Sequence, residues 1–296
     1  MKKLVFIGRK PHKKTKCDLF LIDFLKTFVD VTVLRREEMS PKELVATVNA
    51  IQPDIIIFFQ LPPSFSKHLL RLKCKNFLWI PMWDGFRTFN WRKRWSYRHY
   101  HVRVISFCEK VHTYIQSQKL ESLAVRYFPK PQPCRPPKKQ PPYTFFLWQR
   151  HPDIGIDALR KMVGSGVIKK IIYKGDWPTV SDDVEILKEW LPWDEYLKKV
   201  DEADFYIAPR YQEGIGFSFL EAMARGKVVI AHNDATMNEY ITDGVTGHLF
   251  TSDFTLLSPL KSPAELQPSI QSSFAEGYDR WMQSMDSIKH FVIGSA

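Results

Sequence analysis

Glu213 and Glu221 lie eight residues apart in the stretch Ala203–Phe250, ADFYIAPRYQEGIGFSFLEAMARGKVVIAHNDATMNEYITDGVTGHLF. Between them Gly214-Ile215-Gly216-Phe217 follows a strand-like run that ends at Ala208-Pro209 and opens a helical one. Glycines at a helix start let the backbone approach a ligand closely. The unsatisfied first-turn amides and the helix dipole make that end attractive to phosphate. Eight residues are little more than two helical turns, so Glu221 is expected to point along the same side as Glu213. A carboxylate there does not bind phosphate, but it accepts two hydrogen bonds from a ribose diol. The pattern describes a site shaped for a nucleoside diphosphate, with amides for the diphosphate, one acid for the ribose and one for another polyol. The Gly214-x-Gly216 pair alone is a weak dinucleotide fingerprint, because Phe219 stands where a third glycine belongs.

Such a site needs strands and helices that present loops at one sheet edge, and the apolar pattern supplies them twice. Leu4–Gly8, Val31–Leu34, Ile55–Phe59, Phe77–Ile80 and Val102–Phe107 read as strands. Helices are expected over Asp18–Phe28, from Pro41 to about Ile51, over Lys67–Lys73 and over Glu109–Gln118, with Ser40 and Glu43 spaced as a capping box. The pattern restarts at Thr144–Trp148 and continues through strands at Ile168–Tyr173, Phe205–Ala208 and Val228–Ala231. Helices are expected there at Gly155–Val163, Trp193–Val200, Gly216–Ala224 and Asn238–Ile241, and helical spacing returns over Pro268–Val292. Near-continuous apolar strands separated by helices imply α/β architecture with parallel sheets covered on both faces. Two Rossmann-like domains facing a central cleft are the expectation, with the ligand at the C-terminal strand ends. The domains run 1–130 and 143–267, and 268–296 forms a helix returning to the first. Residues 131–142 connect them: Pro129–Tyr143 holds seven prolines in fifteen residues, which makes an extended, semi-rigid connector.

The chain has 296 residues, a length that suits two domains, and 44% hydrophobic with 25% charged residues describes a globular protein. The longest uncharged apolar run, Ile55 to Phe59, is far below the roughly 20 residues of a membrane helix. Met1-Lys2-Lys3 is followed by an apolar stretch that stops at Ile7, too short for an export signal, so a cytoplasmic location is expected. Cys17, Cys74, Cys108 and Cys134 are far apart and show no metal or disulfide spacing. Asp182-Asp183 and Asp201-Glu202 read as surface acids, and no metal site is expected. Residues 1–142 carry a net charge of +18 and residues 143–296 a net of −7. A basic half beside an acidic one suggests an anionic partner for the first half: a phospholipid surface, a pyrophosphate-bearing acceptor or nucleic acid. Trp79–His101, dense in aromatics and arginines, suits a membrane face or a sugar-stacking acceptor site, or else part of a core. Stacking on single-stranded nucleic acid is the less favoured reading. The loop His12-Lys13-Lys14-Thr15-Lys16 suits a phosphate or membrane border and equally a solvated turn.

The order Glu213-Gly-Ile-Gly-Phe-(x)3-Glu221-Ala-Met-Ala-(x)-Gly226-(x)-Val-Val-Ile, then Glu239-(x)3-Asp243-Gly244-(x)2-Gly247, resembles the donor domain of GT-B retaining glycosyltransferases, glycosyltransferase family 4. The Glu-x7-Glu pair is that family's signature, and the weaker likeness extends over nearly the whole chain. The resemblance implies a retaining, metal-independent transfer of sugar from a nucleotide sugar, with no further cofactor. It implies as acceptor a glycan or lipid-linked precursor of a surface polysaccharide, met at the inner membrane face. Residue by residue, Glu221 is the implied ribose partner and Glu213 lies beside the donor sugar. Gly214, Ile215, Gly216 and Phe217 supply amides to the sugar or diphosphate. The family's Arg–Lys pair on the leaving phosphate corresponds to Trp148-Gln149-Arg150-His151-Pro152-Asp153-Ile154-Gly155: Arg150 matches, and Ile154 occupies the lysine position. Lys174, at the end of the next strand in Tyr173-Lys174-Gly175-Asp176, is the expected second cation. Gly8 sits where the family places a glycine near the diphosphate, although the usual Gly-Gly pair is absent. The family's acceptor-side histidine has no match. Asp84 in Ile80-Pro81-Met82-Trp83-Asp84 takes the corresponding place, with His99 and His101 nearby. An NAD-dependent enzyme and a non-catalytic glycan- or lipid-binding relative are the alternatives.

Overall fold

Strands that are apolar along their whole length must be covered on both faces, and parallel pairing through helical crossovers achieves that. The computed structural model describes residues 1–60, 71–86, 101–175, 181–189 and 191–294. The chain divides into two units, Met1–Arg126 with Trp281–Ala296, and Tyr127–Arg280.

In the first unit, β1 (Lys3–Gly8), β2 (Asp30–Arg35), β3 (Ile55–Phe59), β4 (Phe77–Ile80), β5 (Arg103–Ser106) and β6 (Ser122–Ala124) form one sheet, ordered β2-β1-β3-β4-β5-β6. Every pairing in it is parallel. Among the described residues before Arg126 its α-helices are α1 (His12–Thr15), α2 (Leu19–Leu25), α3 (Pro41–Ile51), α4 (Trp83–Phe86) and α5 (Glu109–Ser117). The capping box forms as the sequence predicts. The Ser40 hydroxyl accepts the Glu43 N–H at 3.3 Å, and the Glu43 carboxylate accepts the Ser40 N–H at 2.8 Å. Trp79 is buried and stacks on Phe86 at 5.9 Å, so this member of the aromatic–arginine stretch is core. Residues 87–100, His99 among them, and 61–70, most of the expected helix at Lys67–Lys73, lie outside the described residues.

The strand order of this sheet reverses between β1 and β3, and a buried charge network occupies that point. Asp18 has no exposure; its Oδ2 is paired with the Arg35 guanidinium and lies 3.5 Å from His12 Nδ1. His12 Nε2 is 2.9 Å from Gln60 Oε1, which joins the loop after β1 to the end of β3. The space a side chain at Gly8 would need is taken by Arg35 Nη1, 2.5 Å from that position. Gly8 therefore makes room for an ion pair. The basic loop is partly neutralised as well, with Arg9 bonded to Glu37 at 3.1 Å and Lys13 to Glu38 at 3.4 Å.

In the second unit, β7 (Tyr143–Trp148), β8 (Ile168–Lys174), β9 (Val184–Ile186), β10 (Phe205–Ile207), β11 (Val228–His232) and β12 (His248–Phe250) are ordered β12-β11-β10-β7-β8-β9, again all parallel. Helices α6 (Ile156–Val163), α7 (Trp193–Glu202), α8 (Phe217–Ala224), α9 (Met237–Tyr240) and the long α10 (Pro263–Ile293) accompany it. The order reverses between β7 and β10, and the carboxyl ends flanking such a reversal are where open α/β sheets bind ligands.

The proline-rich segment contains no helix or strand before Tyr143, in keeping with its missing amide donors. It is laid along the second unit: the Gln132 N–H donates to Ala224 O at 2.8 Å, and Arg135 and Lys138 meet Asp204 at 3.1 and 3.3 Å. Helix α10 runs on through Pro268, and its residues from Trp281 group with the first unit. Trp281 packs against Phe20 and Phe107 at 5.9 and 6.1 Å, and Lys2 Nζ donates to Ile293 O at 2.9 Å. Among the described residues, no helix is long and apolar enough to cross a membrane.

Candidate active site

Register brings the first candidate side chains together. Trp148 closes β7 opposite Lys174, the last residue of β8, and the Gln149 N–H donates to Lys174 O at 2.7 Å. Gln149 is buried and folds the following loop around itself. Its Oε1 accepts from the Tyr173 hydroxyl at 2.7 Å, and its Nε2 donates to Pro152 O at 2.6 Å. Arg150, leaving this tight turn, places its guanidinium carbon 5.0 Å from the centre of the Trp148 ring. Lys174 Nζ lies 5.0 Å from the same centre, with only 8% of the residue exposed. One indole thus holds two cations, the arrangement that an aromatic quadrupole stabilises and that a diphosphate would neutralise.

A buried tyrosine pair adjoins these cations. Tyr196 on α7 meets Trp148 edge-on at 5.7 Å, and its hydroxyl is 3.3 Å from that of Tyr206 on β10. Burial pushes both phenols up. Glu221 raises Tyr196 further and Glu213 raises Tyr206, while Arg150 pulls both back down. Arg150 and Lys174 therefore meet on the Trp148 ring at the switch point of the second sheet, and the charges of Glu213 and Glu221 act on the tyrosine pair beside it. Trp148, Tyr196 and Tyr206 were not legible as site residues, because their roles depend on the pairing of β7 with its neighbours.

The loop after β10 has the conformation its glycines permit. Glu213, Gly214, Ile215 and Gly216 are buried, and Gly216 adopts φ +84° as the N-cap of α8. A glycine cap offers no side chain to the first-turn amides, which leaves them oriented for an anion. A Cβ at Gly216 would overlap the Phe219 ring. Gly216→Ala should cost at least the roughly 1–2 kcal/mol of a left-handed non-glycine residue. Its ring clash should also turn the amides away, so thermal melting and nucleotide affinity are expected to fall together.

Glu221 is half-buried on α8. Its Oε1 accepts from Arg225 Nε at 3.0 Å, and Arg225 Nη1 reaches Asp201 Oδ2 at 2.9 Å. Of the surface acids named from the sequence, Asp183 pairs with Arg160 at 2.8 Å and Asp201 with Arg225. Arg225 was missed, although its i,i+4 spacing from Glu221 is a sequence-level signal. Among the described residues, no group of three or more His, Cys, Asp or Glu side chains is arranged to hold a metal ion.

The remaining expected residues belong to the first unit. Asp84 begins α4, and its Oδ1 accepts the Gly85 N–H at 3.0 Å, the local bond of a turn-forming aspartate. His101 is exposed at φ +47°, and Gly8 stands beside Arg35 and Asp18.

Residues 180–254, the segment that holds Glu213 and Glu221, match the family described as glycosyl transferases group 1. No curated protein matches the chain. Among solved structures, the apo lipopolysaccharide outer core galactosyltransferase WaaB is 14% identical with a TM-score of 0.64, over 98% of this chain and 99% of that one. A glycosyltransferase from Rickettsia africae is 12% identical with a TM-score of 0.62, over 100% and 99%. HepE of Anabaena, solved with UDP, is 15% identical with a TM-score of 0.62, over 98% and 99%. The chain has the GT-B fold of two Rossmann-like domains, and its carboxylate pair lies in a segment matched to glycosyl transferases group 1.

Proposed function

We propose that the chain is a retaining glycosyltransferase that moves a sugar from a nucleoside diphosphate sugar to an acceptor hydroxyl without a divalent metal. The observation that carries this reading is the placement of Arg150 and Lys174 on one Trp148 ring at the sheet's switch point, in the same unit as the buried Glu213 before α8 and Glu221 on it. The bond from the sugar's anomeric carbon to the diphosphate oxygen breaks, and a bond to the acceptor oxygen forms on the same face. The acceptor proton leaves with the diphosphate. Charge grows on that leaving oxygen, where Arg150, Lys174 and the first amides of α8 stabilise it. Glu213 orders the sugar hydroxyls and Glu221 the ribose. HepE, solved with UDP and with UDP-glucose, supports the donor class.

The acceptor we favour is a lipid-linked or surface-glycan precursor, reached by the basic first half at an anionic membrane face, with Asp84, His99 or His101 near its hydroxyl. The net charge of +18 over residues 1–142 supports that orientation. The test is to incubate the protein with UDP-, GDP- and ADP-sugars in EDTA and follow nucleotide release and the anomer formed. One donor class consumed equally with and without EDTA, with the sugar's anomeric configuration kept, is the expected result. Consumption that requires added divalent ion, or an inverted product, would refute the metal-free retaining mechanism.

A further inference from the structure

Arg225 is held at both ends by residues that lie on different helices. It follows the last turn of α8, donates from Nε to Glu221 Oε1 at 3.0 Å, and reaches from Nη1 to Asp201 Oδ2 at 2.9 Å on α7. The main chain at Asp201 is held in turn, because the buried Lys227 donates from Nζ to Asp201 O at 2.7 Å. An isolated helical glutamate samples several rotamers, and two simultaneous bonds from a vicinal diol need one of them. A guanidinium is planar and rigid, so fixing it at Asp201 also fixes the carboxylate at its other edge.

We propose that Arg225 is a positioning residue for the nucleotide ribose, holding Glu221 in the rotamer that accepts the diol, with Asp201 as its anchor. The inference rests on the nucleotide-sugar reading of the site and adds the device that pre-organises it. Arg225 does not touch the reacting atoms, so its effect falls on donor affinity and leaves the chemical step alone. An ordinary i,i+4 surface pair would instead change stability and leave the dependence on the ribose hydroxyls unmoved.

The test is titration calorimetry of the wild type, Arg225→Gln and Asp201→Asn with UDP, GDP and ADP, each beside its 2′,3′-dideoxy form. Arg225→Gln should weaken the nucleotide the wild type binds by about five- to tenfold, the size expected when one side chain must be immobilised on binding. The dideoxy form should weaken by less than about twofold, since the bonds that Glu221 makes are already gone. Asp201→Asn should show the same pattern at smaller size, and kcat at saturating donor should hold in both variants. Equal weakening of both nucleotide forms, or none of either, would overturn the assignment of Arg225. Failure of the wild type to bind any of the three diphosphates would overturn the donor-site reading as well.

Discussion

Arg150→Ala and Lys174→Ala are each expected to lower kcat/KM by about 10²–10³, the usual cost of removing one preorganised donor from a developing oxyanion. The two substitutions should differ in everything else. Arg150 is exposed, so its loss should move the melting temperature little. Lys174 is buried against Trp148 and Tyr196, at 5.0 and 6.0 Å, and truncation also removes an alkyl stem from that packing. Lys174→Met keeps the stem and deletes the charge; it should regain the lost stability and none of the lost rate. Because both cations sit on one ring and are proposed to serve one leaving group, the double variant should fall short of the product of the single effects. Comparable losses of stability and rate in Arg150→Ala would remove it from the diphosphate site.

The second large effect lies in the first unit. Asp18→Ala should cost about 3–5 kcal/mol of stability, because it strands the part-buried Arg35 cation and takes from His12 the carboxylate it is bonded to. His12 gives this a pH signature. Burial alone would lower its pKa, but bonding to Asp18 and Cys17 outweighs burial and raises it to about 9. The folded state therefore holds a proton that the unfolded chain releases near 6.5. Stability from His12 is fully present below about pH 6.5 and is lost as pH rises through about 9. Lys227 acts in the opposite sense. Burial lowers it to about 8, so stability rises with pH from there toward the ordinary lysine value. The useful quantity is thus a difference. The gap in unfolding free energy between wild type and His12→Gln should narrow steadily from pH 6.5 to 9, and the same His12→Gln substitution made in an Asp18→Ala background should show no such narrowing.

The elements that were legible in the sequence are those whose pattern is long enough to have a period. Ile55–Phe59 and Phe77–Ile80 fall where the apolar runs predict them, and Ser40 with Glu43 marks the start of α3. Val184–Ile186 and His248–Phe250 were invisible, since a three-residue edge strand carries no alternation to detect. Their partners β8 and β11 create them. The same division runs through the candidate site. Glu213, Glu221 and the glycines between them are local in sequence, and a helix start is enough to suggest their chemistry. Arg150 and Lys174 lie 24 residues apart, and only the β7–β8 register shows that Trp148 holds both. His12 stands in a loop of lysines that reads as solvated. It packs against Phe59 and faces Asp18, which is paired in turn with Arg35 of β2.

Glu221 and the Trp148 cations are proposed to hold a nucleoside diphosphate. Thermal melting of the wild type and Glu221→Ala with UDP, GDP, ADP, CMP and NADH, all in EDTA, tests it most directly. At ~100 Kd a bound nucleotide contributes about 2.7 kcal/mol, enough to move the transition visibly. One diphosphate should raise the melting temperature of the wild type and hardly move Glu221→Ala. A rise with NADH alone, or an equal rise in both proteins, would contradict the account.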